Sequence, residues 1–148
     1  MYKTILVPLD GSKRAEAILP YVEEIARHSA AKVVFIQVVE FHTMMAGSYG
    51  VMELYEATIK QQTTEAKAYL NARRGEFHEK GIEVKTLVEQ GPVVETIIDV
   101  AAREGTDLIA MASHGRSGLS RVFYGSVAAG VLQRVDRPLL LVRSRDHA

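Results

Sequence analysis

Residues 107–127 read DLIAMASHGRSGLSRVFYGSV and form the most informative stretch of the chain. The stretch begins with an apolar run typical of a buried strand and continues through a loop that contains glycines. It ends at Gly125-Ser126, where a helix is predicted to begin. Such a loop brings backbone N–H groups, a hydroxyl and a helix N-terminus around one small volume, and these are groups that hold phosphate. The stretch therefore predicts a phosphate-binding turn after a strand.

Strand-like and helix-like runs alternate along the rest of the chain. Strands are predicted over 4–9, 32–40, 82–89, 107–113 and 138–143. Helices are predicted over 15–29, 51–79, from Gly91-Pro92 to Gly105, and from 124 or 125 to 135, with Pro20 marking a kink or a late start in the first of them. Residues 41–50 have no sustained period and predict a mobile loop. This alternation predicts a parallel sheet covered on both faces by right-handed crossovers.

Asp10 is the second informative position, because it ends the first predicted strand in the sequence ILVPLDGS. Ligands of parallel sheets bind beyond the carboxyl ends of the strands, where the strand order reverses. Asp10 and the loop 112–126 both follow strands, so we expect them to meet at one edge of the sheet and to hold a nucleotide there. The alternative is that Asp10 serves only as a turn residue or a helix N-cap.

The composition indicates one globular domain over residues 1–148, with 47% hydrophobic and 24% charged residues. Lys+Arg and Asp+Glu are both 18, and this balance argues against a nucleic-acid partner. The chain has no Cys, which excludes disulfides and thiolate chemistry, and its five His form no metal-ligand pattern. No apolar run approaches the length of a membrane span, so we expect a cytoplasmic protein.

The chain resembles the universal stress protein family over nearly its full length. The resemblance rests on ILVPLDGS, the Ala-Ile-Leu-Pro-Tyr stretch of the first helix, FIQVVE, residues 107–127 and RPLLLVR. The nucleotide-binding branch of that family carries Gly-x-x-Gly, nine residues, and then Gly-Ser or Gly-Thr. Gly115, the nine residues after it, and Gly125-Ser126 match this motif, whereas Ala112 stands at the first glycine. If that position needs a positive φ, Ala costs roughly 1 kcal/mol or more. If it needs only a small side chain, Ala costs almost nothing, and we expect the second case.

The resemblance implies a Rossmann-like adenine nucleotide alpha-hydrolase fold, a five-stranded parallel sheet in the order 3-2-1-4-5 with helices on both faces. It further implies ATP, with or without Mg²⁺, at the junction of the first and fourth strands. In the family the Asp10 carboxylate lies near the ribose and adenine, and the backbone of Val38 reads the adenine edge. The implied nucleotide-binding residues are Pro8, Asp10, Val38, Met111, Ala112, Gly115, Arg116, Gly125, Ser126 and Val127. The family also implies a homodimer through the last strand, at Leu139, Leu140, Leu141 and Val142.

Three functions are compatible with these features. The one we expect is a regulatory, ATP-binding homodimer that acts in the stress response through an unidentified protein partner. The second is an enzyme that slowly hydrolyses ATP, although PLDGSK lacks paired glycines, no Walker motif is present and His114 has no catalytic partner at a recognisable spacing. The third is a nucleotide-free dimeric scaffold, for which Ala112 is the only sequence support.

Overall fold

The computed structural model describes residues 1–40, 49–115 and 125–145. Its elements in chain order are β1 (Thr4–Pro8), a 3-10 helix (Ala15–Ile18), α1 (Leu19–Ser29), β2 (Lys32–Val39), α2 (Tyr49–Glu79), β3 (Val84–Gln90), α3 (Val93–Arg103), β4 (Leu108–Gly115), α4 (Ser126–Arg134) and β5 (Leu139–Arg145). The strands form one parallel sheet in the order β3-β2-β1-β4-β5. The predicted fold class and strand order are therefore confirmed.

Alternate residues of the central strands point to opposite faces of the sheet and bury two separate cores. On one face Val33 and Phe35 of β2 belong to a cluster that includes Leu70 of α2 and Val22 of α1. On the other face the corresponding residues of β1, β2 and β4 pack with apolar residues of α3 and α4. Both faces of β1 and β2 are thus covered, which explains their continuous apolar sequences.

Asp107 fixes the amino end of β1 against β4. Its two carboxylate oxygens accept hydrogen bonds from the backbone N–H groups of Lys3 at 2.8 Å and Thr4 at 3.1 Å, and its own N–H donates to the Thr4 carbonyl. The register of these two strands places Leu6 beside Ile109. Because of this register, the carboxyl ends of β1 and β4 open at the same edge of the sheet.

Two prolines lie at helix starts, where the missing N–H costs no hydrogen bond. Pro20 is in the first turn of α1, which begins after the 3-10 helix, so the predicted late start is correct. Pro92 is the N-cap of α3 rather than its first residue, one position earlier than predicted. Gly81 and Gly105, the two predicted stops, have φ of +79° and +64° and follow their helices as left-handed residues.

The prediction for α2 was wrong in two details. The helix begins at Tyr49, so the predicted loop over 41–50 ends earlier, and its remaining residues lie outside the described part of the chain. Helical spacing places Gln62 and Ala66 in the weakly apolar middle of a stripe, which predicts a partly covered helix, and Gln62 is exposed as this predicts. Leu70, which lies outside that stripe, is fully buried and was missed. No helix in residues 1–40, 49–115 and 125–145, including α2, combines the length and hydropathy that a bilayer crossing requires.

The two edge strands also differ slightly from their predicted limits. β3 begins at Val84 rather than at Ile82, whose N–H donates to the Phe77 carbonyl and which is buried at the turn after α2. β5 continues past the predicted end to Arg145, because β4 pairs with it as far as Gly115. These shifts concern strand ends and leave the topology unchanged.

Candidate functional site

A cavity of about 210 Å³ opens at the carboxyl edge of the sheet, where the strand order reverses between β1 and β4. Seven of the ten predicted site residues line it: Pro8, Asp10, Val38, Met111, Ala112, Ser126 and Val127. Gly125 immediately precedes α4, and Gly115 is the last residue of β4. Arg116 lies outside the described residues. The structure thus brings together side chains from β1, β2, β4 and α4 that are far apart in the sequence.

The Asp10 carboxylate is oriented by the turn that follows β1. Its Oδ1 accepts hydrogen bonds from the N–H of Ser12 at 2.9 Å and from the Ser12 hydroxyl at 2.5 Å. The Ser12 hydroxyl oxygen in turn accepts from the N–H of Ala15 at 3.1 Å, and Gly11 has a φ of +86°. Asp10 therefore has the turn role that the sequence offered as an alternative, and it lines the cavity as well.

Val38 presents its backbone groups to the site. β1 pairs with β2 only as far as Pro8 and Ile36, after which the N–H of Leu9 donates to the Ile36 carbonyl at 2.8 Å. Because alternate residues of a strand direct their backbone groups to opposite neighbours, Val38 faces the same side as Ile36. β1 has ended at this level, and no described backbone group from it pairs with Val38. One N–H donor and one C=O acceptor are thus available side by side.

Gly125 and Ser126 form the amino end of α4. Gly125 is the N-cap with φ of 78° and ψ of 161°, a conformation that strongly favours glycine, and its carbonyl accepts from the N–H of Ala129 at 3.0 Å. No described side chain caps the helix. The first-turn N–H groups and the positive end of the helix dipole therefore remain available to an anion at this end of the cavity.

Ala112 is accommodated without backbone strain. It lies inside β4, opposite Val142 of β5, and the only non-glycine residue of the described chain with a positive φ is Ala30. Of the two cases considered from the sequence, the structure therefore supports the one in which the position needs only a small side chain. The methyl group of Ala112 contributes to the cavity wall next to Met111.

The cavity also contains residues that the sequence reasoning missed. Val93 and Ile97 of α3 form part of the apolar wall, and Glu40 follows β2 at the rim. The sequence identified Val93 and Ile97 only as members of an apolar helical stripe, which does not show how far a helix extends along a sheet. Glu40 could have been found, because it follows a strand in the same way as Asp10.

Carboxylates are the only charged side chains among the described residues that line the cavity, namely Asp10 and Glu40. No group of three His, Cys, Asp or Glu in the described part of the chain is arranged to hold a metal ion. The site therefore combines an apolar slot, an adjacent backbone donor and acceptor, a carboxylate and a helix N-terminus. This combination suits a ligand with a flat polar-edged ring, hydroxyl groups and an anionic end.

Comparisons with known proteins identify one family over nearly the whole chain. The model of the universal stress protein family matches residues 1–143. Universal stress protein MJ0577 of Methanocaldococcus jannaschii is 30% identical over 99% of this chain and 98% of its own. The solved structure of MJ0577 covers 99% of both chains with a TM-score of 0.84.

Two further structures share the fold at lower sequence identity. A universal stress protein in complex with cAMP is 22% identical, covers 97% of this chain and 98% of its own, and has a TM-score of 0.64. The universal stress protein from Archaeoglobus fulgidus in complex with dAMP is 19% identical, covers 95% and 98%, and has a TM-score of 0.70.

Proposed function

Because this chain belongs to the universal stress protein family, we propose that it is a regulatory protein that binds an adenine nucleotide, with ATP as its main ligand. The observation that carries the proposal is the pair of backbone groups of Val38 beside the apolar slot. Adenine presents an acceptor, N1, next to a donor, the N6 amino group. The N–H and C=O of Val38 match this pattern, whereas guanine presents the reverse order of donor and acceptor.

The other parts of the nucleotide fit the remaining parts of the site. The ribose hydroxyls can donate to the Asp10 carboxylate, and the phosphates fit at the amino end of α4 beside Ser126. The cavity of about 210 Å³ is smaller than the range of about 300–1,000 Å³ that is typical of sites for drug-sized ligands. We therefore place only the nucleoside part of the nucleotide inside it. The phosphates then extend outward along Gly125 and Ser126. The complexes of related proteins with cAMP and dAMP are consistent with this assignment.

Mg²⁺ would accompany the ATP phosphates rather than occupy a site of its own, since the described residues offer no metal-ligand group. The regulatory step is a shift between conformations, which requires that ATP bind one of them better than the other. The nucleotide-bound conformation would be recognised by a protein partner, and the sequence does not identify that partner. Cytoplasmic location remains a prediction from the sequence.

We expect thermal unfolding to reveal the nucleotide directly. At a hundredfold excess over Kd, a ligand adds about 2.7 kcal/mol of stability. For a domain of this size each kcal/mol raises Tm by about 2–4 °C, so Mg-ATP should raise Tm by roughly 5–10 °C. Mg-GTP at the same concentration should give a much smaller shift. No shift with millimolar Mg-ATP would contradict the proposal and would favour the nucleotide-free scaffold.

We also propose that the protein is a homodimer formed through β5. This strand lies at the edge of the sheet, so one side of its backbone has no partner strand within the described chain. Its apolar residues Leu139, Leu140 and Leu141 are only partly buried. We expect light scattering of the full chain to give twice the 16.3 kDa of one protomer. A mass of one protomer at micromolar concentration would contradict this pairing.

Slow ATP hydrolysis is not part of the proposal. The carboxylates that line the described site are those of Asp10 and Glu40, and the sequence offers no general base at a recognisable spacing. Linear phosphate release well above that of the double variant Asp10→Ala, Ser126→Ala would contradict the non-enzymatic assignment.

A further inference from the structure

The first turns of α3 and α4 both border the nucleotide cavity. Val93 of α3 and Val127 of α4 line it, and both pack against the same apolar cluster on this face of the sheet. Val94 follows directly in α3, and Gly130 lies three residues further along α4. The distance between the two helices therefore decides where one wall of the cavity stands.

The two helices are in close contact at Gly130. A Cβ atom added to Gly130 would lie 2.7 Å from Cγ2 of Val94 and 3.2 Å from its Cγ1. Carbon atoms attract each other best at about 3.5–4.0 Å, so the added atom would clash. Gly75, in the interior of α2, differs, because a Cβ atom there would meet nothing within 4 Å apart from its chain neighbours and the nearby backbone of its own helix. Glycine is unfavourable inside a helix, and the close contact gives a physical reason for it at position 130.

Val94 has little freedom to make room for a larger residue at position 130. Both of its methyl groups face Gly130, and its own Cβ would be 3.5 Å from the added atom. Either of the other two staggered rotamers still leaves one methyl group at one of these two positions. A valine in a helix also has one strongly preferred χ1 rotamer. A side chain at position 130 would therefore push the helices apart.

Of the two helices, we expect α4 to move. α3 has 11 residues and buries three of them almost completely, namely Ile97, Val100 and Ala101. Its carboxyl end is also fixed from outside, because Arg137 donates a hydrogen bond of 3.0 Å to the Ala101 carbonyl. α4 has nine residues, and its buried side chains are those of Ala128 and Val131. The shorter helix, with fewer buried side chains, is the one that yields.

We propose that Gly130, through its contact with Val94, is a positioning residue that holds the amino end of α4 where the nucleotide phosphates bind. This inference rests on the proposed function, which places the phosphates beside Ser126. Ser126 lies one turn before Gly130, so a displaced α4 carries with it the N–H groups that would hold the phosphates. The nucleoside is placed mainly at Asp10 and at the backbone of Val38, which belong to the β1 and β2 side of the cavity. The phosphate contacts therefore depend on Gly130 more than the nucleoside contacts do.

The test compares Mg-ATP with adenosine in calorimetric titrations of the full-length protein. We expect Gly130→Ala to weaken Mg-ATP binding about tenfold or more, the size of one lost hydrogen bond to a charged group. Adenosine has no phosphate, and we expect its affinity to change less than about threefold in the same variant. A general loss of stability would not change the ratio of the two affinities. Gly75→Ala is the matched control, because its added methyl group meets no neighbour, and we expect it to leave both affinities unchanged.

A second substitution tests the contact itself. Val94→Ala removes the two methyl groups that stand in the way, so we expect the double variant Gly130→Ala, Val94→Ala to bind Mg-ATP within about threefold of the wild-type protein. The inference is overturned if Gly130→Ala leaves Mg-ATP binding unchanged, if it weakens both ligands equally, or if the double variant does not recover. These results leave the proposed function intact, because the wild-type protein still binds. A wild-type protein that binds neither ligand would refute the proposed function, and this inference with it.

Discussion

Replacing Gly125 by Val is expected to weaken the binding of Mg-ATP by at least a hundredfold, while the protein still folds. Gly125 has φ of 78° and ψ of 161°, where a β-branched residue is strained by about 1–3 kcal/mol. The added side chain would also stand at the N-cap of α4, where we place the phosphates. A typical domain is stable by about 5–15 kcal/mol, so strain of this size leaves it folded.

The matched control for Gly125→Val is Gly105→Val. Gly105 also has a positive φ, of +64°, and a Cβ atom added there would meet no atom within 4 Å other than those of its chain neighbours. It follows α3, at the opposite edge of the sheet from the nucleotide cavity. We expect it to lower stability through backbone strain but to keep the affinity for Mg-ATP. Calorimetric titration with Mg-ATP and urea unfolding of both variants separate the two effects. Unchanged affinity in Gly125→Val would place the phosphates elsewhere.

The element types and much of the site were predictable from the sequence, because the signals were local. Continuous apolar runs mark strands covered on both faces, and residues that follow such strands must collect at one edge of the sheet. Asp10, Val38 and Ser126 could be placed in this way with the help of a family resemblance. The strand order itself came from that resemblance, since periodicity does not determine which strands are neighbours.

The missed features depend on packing between elements. A stripe through Gln62 and one through Leu70 both follow helical spacing, and only contact with the sheet decides which face is buried. In the same way, Val93 and Ile97 look like ordinary core residues until α3 is placed against the end of the sheet. The sequence also did not determine the free-energy cost of having Ala at position 112, because the spacing of glycines does not reveal the backbone φ of a residue.

Replacing Phe35 by Ala is expected to lower the free energy of unfolding by about 3–5 kcal/mol, the largest stability loss among the changes considered. Phe35 is fully buried in the middle of β2, and its ring meets that of Phe77 edge to face, with centroids 5.1 Å apart. The substitution would leave a cavity between the sheet and α2. Urea unfolding should show a lower midpoint with an unchanged m-value, which indicates the same surface exposed on unfolding.

A double-mutant cycle with Phe77→Ala identifies how much of this loss belongs to the aromatic pair. Such pairs contribute about 0.5–1.5 kcal/mol beyond the apolar area that they bury, and the coupling energy should fall in that range. Tyr21→Ala is the control, because this residue is 50% exposed and its loss should change stability by no more than about 0.5 kcal/mol. A loss below about 1 kcal/mol in Phe35→Ala would mean that α2 does not depend on β2 for its position.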